Sequence, residues 1–163
     1  MTKNVKTVVM VGIAAAIIIL VIVFVRDLVL RRPAAFDCGD GPRRRIDIRD
    51  FTTQYSAYSV ELEASVAEKA KISTKLNPIQ VQQLSEAMQN AAEFRKFVVA
   101  GYNSCAVTKA HYEQYGARFQ ALDSLAREIN ELTTRPSLPP SETARLAELI
   151  SQYGELARRL GTE

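Results

Sequence analysis

The sequence is poor in the residues from which enzyme sites are commonly built. It has one histidine, His111, no tryptophan and two cysteines among 163 residues. It contains no glycine-rich phosphate loop of the GxxxxGK[ST] or GxGxxG type. Pairs of glutamates recur at helical spacing, but without the Glu-x-x-His motif that di-metal helical bundles use. We therefore expect a protein that is not an enzyme, with no catalytic residues, no metal, no cofactor and no small-molecule substrate.

The two cysteines share no metal-binding or CxxC spacing. Cys105 and His111 are six positions apart, which places them on different faces of a helix rather than in a catalytic dyad. In the cytoplasm Cys38 and Cys105 would be free thiols. Outside the cytoplasm they would pair, and the closed loop would contribute about 4 kcal/mol to stability. The sequence alone leaves the redox state of the two cysteines open.

The charge of the chain is nearly balanced once its N-terminal part is set aside. From Pro33 onward there are sixteen Lys and Arg residues against seventeen Asp and Glu residues. Binding to phosphate backbones needs a concentrated basic surface. We therefore do not expect nucleic acid as a partner.

The dominant feature of the sequence is residues 8–25, which are apolar and carry no charge. As a helix they would span about 27 Å, close to the hydrocarbon thickness of a bilayer. A signal peptide would have a shorter apolar run and a small-residue cleavage site, and a buried helix would show a polar stripe. We predict a tail at 1–7 and a transmembrane helix with a juxtamembrane extension at 8–32.

Small residues in this segment, Gly12 and Ala16, are four positions apart, a spacing that lets membrane helices pair closely. The alternative is that glycine and alanine are simply frequent in membrane helices. At the end of the segment, Arg26, Arg31 and Arg32 are expected to contact lipid headgroups, as are the basic residues at 43–45. These arginines outnumber the two lysines before the segment, which favours a cytoplasmic location for the rest of the chain.

The remainder of the sequence predicts a linker and a helical domain. Residues 33–45 are rich in turn-forming residues, and 46–163 read as a soluble helical bundle. A first helix with coiled-coil-like apolar spacing is expected at 46–76. Asn77 and Pro78 then fit the cap and the first position of a new helix. A proline-rich connection at 134–140 precedes a last helix at 141–160.

Residues 78–134 allow one long helix or two. We favour two, with Gly101 just beyond the end of the first and Thr108 capping the second. The loop between them contains Tyr102, Asn103 and Ser104, which we name as a possible partner contact. The alternative is that their side chains cap the end of the bundle through hydrogen bonds.

Together these patterns predict an all-α protein in which one N-terminal transmembrane helix is followed by an antiparallel three- or four-helix bundle. We expect a single-pass, membrane-anchored interaction or oligomerisation module, a subunit or adaptor of a membrane-associated assembly. Its partners would be membrane lipid and either another protein or a second copy of the chain. The alternative is an extracytoplasmic sensory or envelope-linking helical domain with a Cys38–Cys105 disulfide.

Overall fold

The structure is a computed structural model that describes residues 35–69 and 75–162. The predicted transmembrane helix lies outside the described residues, as do the helix-pairing residues Gly12 and Ala16 and the headgroup contacts Arg26, Arg31 and Arg32. In the described ranges, none of the helices has both the length and the apolar character needed to cross a bilayer.

The described residues are mostly helical, which confirms the all-α class. A pair of two-residue strands, β1 (Phe36–Asp37) and β2 (Pro42–Arg43), comes first. The helices that follow are α1 (Ile48–Tyr55), α2 (Ala57–Lys69), α3 (Pro78–Asn103), α4 (Lys109–Thr134) and α5 (Pro140–Arg159). The compact unit to which they belong is Asp37–Glu163.

The two longest helices, α3 and α4, organise the bundle. Each has 26 residues, or about 39 Å of helix. The shorter helix α5 packs against both of them, and so do α1 and α2. The apolar faces predicted from the sequence supply the core, whose largest fully buried side chains are Tyr153, Phe51, Phe119, Leu62, Leu84, Leu122, Ile129, Leu146, Leu149, Ile150, Leu160 and Val98.

The prediction of one helix over 46–76 is wrong, because the chain breaks at Ser56. Ser56 leaves the helical conformation. The first turn of α2 is then capped from another helix. There the Asp123 carboxylate of α4 accepts hydrogen bonds from the backbone N–H groups of Tyr58 and Ser59 at 2.7 and 3.2 Å. A side chain distant in sequence thus caps the start of α2. The first helix of the bundle is consequently two helices, and the described residues contain five helices rather than three or four.

The predicted break between α3 and α4 is confirmed, but it falls later than expected. The helix continues past Gly101 to Asn103, and the left-handed residue that follows is Cys105, with φ of 64°. Gly101 is buried because Val107 folds back against it, and a Cβ at Gly101 would lie 2.5 Å from a Val107 methyl carbon. Thr108 caps α4 as predicted, accepting from the His111 N–H.

Candidate functional site at the α3–α4 turn

The segment that leads into the bundle is covalently joined to the turn between α3 and α4. Cys38 and Cys105 form a disulfide, with their Cα atoms 5.4 Å apart and 67 positions between them in sequence. Residues 36–46 and 102–109 are called here the tether junction, because the contacts below tie the first range to the second. The sequence had left this pairing open, and the structure contains it.

Arg43 is the central side chain of the tether junction. It is only 2% exposed, and its Nη1 donates hydrogen bonds to the carbonyl oxygens of Tyr102 at 3.0 Å and Val107 at 2.7 Å. Its guanidinium lies over the Tyr102 ring, 4.6 Å from the centroid. The Tyr102 carbonyl lies in the last turn of α3 and also accepts the backbone N–H of Cys105 at 3.4 Å. The expectation that Arg43 contacts lipid headgroups is therefore wrong, since its charge is used inside the fold.

Asp40 completes this interaction. Its carboxylate forms an ion pair with Arg43 and also accepts the backbone N–H of Lys109 at 2.7 Å. The hydrogen bond from Arg43, followed by the one from Lys109, holds the pKa of Asp40 below its usual value. A carboxylate at the first turn of α4 is also favourably placed for the helix dipole. One buried cation and one carboxylate thus join β2 to the end of α3 and the start of α4.

The three residues predicted as a partner-contact loop lie within this junction. The Asn103 amide forms two hydrogen bonds with the backbone of Ile46, accepting at 3.0 Å and donating at 2.7 Å. Ser104 donates to the Gly101 carbonyl at 3.3 Å, and Tyr102 is buried. Their polar atoms therefore serve the end of the bundle, as the alternative interpretation expected. A direct partner contact by these residues stays a prediction.

A second group of polar side chains lies between α2, α3 and α5. Arg95 is 4% exposed and pairs with Glu63 at 3.2 Å, with its guanidinium 5.7 Å from the Phe119 ring centroid. Burial raises the pKa of Glu63, and the neighbouring Arg95 opposes that shift. Burial also raises the pKa of Tyr153 to about 12, so its phenol is neutral near pH 7. The Arg95–Glu63 pair joins α2 to α3, and Tyr153 of α5 is fully buried.

The other residues considered for chemistry lie apart from one another. His111 is exposed at the start of α4, with its Nδ1 3.1 Å from the Thr108 hydroxyl. Cys105 is held in the disulfide. Over residues 35–69 and 75–162, no group of three or more His, Cys, Asp or Glu side chains is arranged to hold a metal ion. The glutamates at helical spacing, Glu61, Glu68, Glu86 and Glu93, are all exposed.

A cluster of four rings lies on α3 and α4, half-buried at Phe94 and Tyr115 and exposed at Phe97 and His111. It consists of Phe94 and Phe97 on α3 with His111 and Tyr115 on α4, and is called here the aromatic surface patch. The Phe94 ring lies 5.6 Å from Phe97 and 5.2 Å from Tyr115, and His111 lies 6.3 Å from Tyr115. Gly161, just beyond the end of α5, lies next to the Phe94 ring.

The helical spacing of α3 explains the exposure of Phe97. The buried positions of α3 follow spacings of three and four, and that pattern assigns Arg95, Val98 and Tyr102 to the inner face. Phe97 falls outside it. The Phe97 side chain is 57% exposed.

Comparison with known proteins gives no match: no family model, no curated protein and no solved structure resembles the chain. The functional argument therefore depends on the residues and geometry described above.

Proposed function

We propose that this chain is a membrane-anchored, non-enzymatic helical interaction module whose bundle is displayed outside the cytoplasm. The observation that carries the proposal is the disulfide between Cys38 and Cys105. Disulfides form and persist in oxidising compartments and are rare in the cytoplasm. This single long-range bond outweighs the arginine count at the N-terminal side, which favoured the opposite location.

The position of the disulfide supports a tethering role. Cys38 lies just ahead of β2, and its partner Cys105 lies at the turn between the two longest helices. A pull on the chain before Cys38 would therefore be transmitted directly to α3 and α4. It would not first pass through the eight-residue helix α1, which is the shortest helix of the described residues. Arg43 and Asn103 reinforce the same junction with hydrogen bonds to the backbone.

The interaction role is supported by what the bundle leaves on its surface. The buried charges Arg43 and Arg95 have partners inside the fold, whereas Phe97 and His111 of the aromatic surface patch are exposed. Exposed apolar clusters on folded domains are a common mark of contact sites. The partner would be membrane lipid, another protein or a second copy of the chain.

A second candidate is the same module facing the cytoplasm, which the arginines after the apolar segment favour. Cys38 and Cys105 would then be close in space but reduced. The two candidates differ in the side of the membrane and in the redox state of one cysteine pair.

Reporter fusions to the C-terminus of the full chain test the proposal. Alkaline phosphatase is active only in an oxidising compartment, whereas green fluorescent protein exported unfolded by the same route does not fluoresce. We expect an active phosphatase fusion, a dark fluorescent-protein fusion, and retention of the chain in membranes washed at alkaline pH. A fluorescent fusion with an inactive phosphatase would place the bundle in the cytoplasm. Release by the alkaline wash would contradict the anchor.

A further inference from the structure

We propose that three side chains of the tether junction, Asp40, Arg43 and Asn103, bring Cys38 to Cys105 before the two thiols pair. These three side chains are called here the polar clamp. The polar clamp guides the disulfide to close within one chain rather than between two chains. This guiding role does not depend on the apolar N-terminal segment.

Arg43 contacts the α3–α4 turn on both sides of Cys105. Its Nη1 donates to the Tyr102 carbonyl, before Cys105 in sequence, at 3.0 Å, and to the Val107 carbonyl, after it, at 2.7 Å. Neither hydrogen bond involves a sulfur atom. A buried charged group is costly to separate from its hydrogen-bond partners. Arg43 therefore favours the docked arrangement in the reduced chain as well as in the oxidised one.

The other two members of the polar clamp hold the chain that follows Cys38. The Asp40 carboxylate accepts the Lys109 N–H at 2.7 Å, and the Asn103 amide both accepts from and donates to the backbone of Ile46. Asp40 is close to Cys38 in sequence, and two residues reach at most about 7 Å. Once Asp40 is docked, Cys38 therefore searches a small volume beside the turn instead of closing a loop of 67 positions.

The chain that follows the polar clamp is fixed by the core, again without the disulfide. Helix α1 begins at Ile48, and its Phe51 is fully buried, with the ring 5.6 Å from that of Tyr112 and 5.1 Å from that of Phe119. A disulfide stabilises a fold mainly by restricting the unfolded chain. We therefore expect the folded, reduced chain to keep its tether junction, so that the bond closes on an arrangement that already exists.

Guidance matters because Cys105 is exposed, whereas Cys38 is half-buried. An exposed thiol in an oxidising compartment can pair with the same thiol of another chain. Groups joined by a short connection reach effective concentrations of about millimolar, and a pre-docked pair exceeds that value. The polar clamp thereby makes closure within the chain the favoured outcome.

The closure requires an oxidant that itself contains a disulfide, such as oxidised glutathione. The Cys105 thiolate attacks one sulfur of the oxidant, which forms a mixed disulfide and releases one glutathione thiolate. The Cys38 thiolate then attacks the Cys105 sulfur and releases the second glutathione thiolate. Two electrons pass to the oxidant, and the two released thiolates take up the two protons that the cysteines lose.

The test is a redox titration of the full chain in detergent micelles, in mixtures of reduced and oxidised glutathione. Acid quenching followed by a mass-adding maleimide counts free thiols, and a non-reducing gel separates closed monomers from cross-linked dimers. At half closure, the squared concentration of reduced glutathione divided by the concentration of oxidised glutathione gives the effective concentration of the cysteine pair. Arg43→Ala and Asn103→Ala are the test variants.

Two control variants separate positioning of the cysteines from general stability. Arg44→Ala removes an exposed arginine next to Arg43. Leu84→Ala weakens the buried core near the other end of α3, about 28 Å of helix away from Asn103. Circular dichroism of the reduced chains shows which variants fold, and Asn103→Ala decides the question if Arg43→Ala does not fold.

We expect Arg43→Ala to lower the effective concentration about tenfold, because one hydrogen bond to a charged group changes an equilibrium constant by at least that factor. Asn103→Ala should lower it about threefold, both variants should form more cross-linked dimers, and both controls should match the parent. Equal effective concentrations in the parent and the two test variants would overturn the proposal. An equal fall in Leu84→Ala would also overturn it, because general stability would then account for the effect.

Discussion

The two ends of the bundle are held together in different ways. At the tether junction, the chain is closed by the Cys38–Cys105 disulfide, by the buried Arg43 and by the Asn103 amide, which reaches Ile46 across 57 positions of sequence. These contacts join segments that are far apart along the chain.

At the opposite end, several contacts of the described residues join near neighbours in sequence. Asn77 and Gln80 form a reciprocal capping box at the start of α3, with Pro78 in its first turn. Arg135 pairs with Glu142 at 2.6 Å between side chains that are largely exposed. The Thr133 carbonyl accepts from Lys75 at 3.0 Å, which is a long-range contact but a partly exposed one.

The difference shows where the fold resists disruption. A bond that closes a long loop restricts the unfolded chain, and a buried cation with hydrogen-bonded carbonyls is costly to remove. Exposed ion pairs contribute little. We therefore expect substitutions at the tether junction to destabilise the bundle far more than comparable substitutions at the opposite end.

The largest effect is expected from removal of the disulfide. Replacing both cysteines, Cys38→Ala with Cys105→Ala, should lower the free energy of unfolding by about 4 kcal/mol, because the unfolded chain regains the freedom of a loop of 67 positions. Urea denaturation followed by circular dichroism measures the change. Reductant should produce a similar loss in the parent protein and none in the double variant. Equal stability with and without the disulfide would contradict the asymmetry between the ends.

The next effect concerns Arg43. Arg43→Ala should cost about 2–3 kcal/mol, because the Tyr102 and Val107 carbonyls each lose the hydrogen bond from Arg43 and Asp40 loses its cation. The adjacent Arg44→Ala is the matched control, since Arg44 is exposed and a surface substitution changes stability by about 0.5 kcal/mol or less. Similar denaturation midpoints for the two variants would show that Arg43 is not a structural residue.

Two glycines allow the packing of the tether junction to be tested separately. Gly101→Ala should destabilise by about 1 kcal/mol, since its methyl group meets Val107 and overpacking outweighs the gain in helix propensity. Gly154→Ala, where no atom lies within 4 Å of the added carbon, should stabilise α5 by about 0.5–1 kcal/mol. Adding Val107→Ala to Gly101→Ala should relieve the contact. The same sign for both glycine variants in thermal unfolding would refute this packing.

Acid should weaken the tether junction through Asp40. Arg43 and the Lys109 N–H hold its folded pKa below the ordinary 3.8, so the ionised group stabilises the fold above that value, and the contribution is lost as the pH falls through the folded pKa. Asp40→Asn should therefore be less stable than the parent at pH 7 and closer to it at pH 3. A stability difference that is independent of pH would exclude this ion pair as its source.

The smallest effect is expected at the opposite end. Arg135→Ala should lower stability by about 0–1 kcal/mol, because both partners of the Arg135–Glu142 pair are exposed enough for water and salt to screen them. Chemical denaturation at low and high salt measures this loss of stability. A loss of stability as large as that caused by Arg43→Ala would contradict the expected difference between the two ends.

The sequence predicted the local features of this fold well. Asn77 and Thr108 were identified as caps because cap preference depends on a residue and its next few neighbours. The last helix was predicted at 141–160 and is observed at Pro140–Arg159. The class and the two long helices could therefore be derived without coordinates.

The features that sequence reasoning missed are determined by distant residues. The break at Ser56 depends on Asp123 of another helix. Arg43 looked like a surface residue because the carbonyls it binds lie about sixty positions away. Gly101 was predicted to lie just beyond the end of α3, but the helix continues to Asn103, and Val107 occupies the space that a side chain at Gly101 would need. The candidate site is built from such long-range contacts. The sequence therefore indicated the loop between α3 and α4 as unusual, but it did not predict which residues that loop contacts.

The most direct test is the thiol state of the full chain in cells. Cells are quenched in acid, and the denatured chain is treated with a maleimide that adds visible mass, with or without prior reduction. We predict no mass shift without reduction and a shift by two labels after it, since Cys38 and Cys105 are the only cysteines. Two labels without reduction would mean that the pair is open in the cell, and would contradict an extracytoplasmic bundle closed at its tether junction.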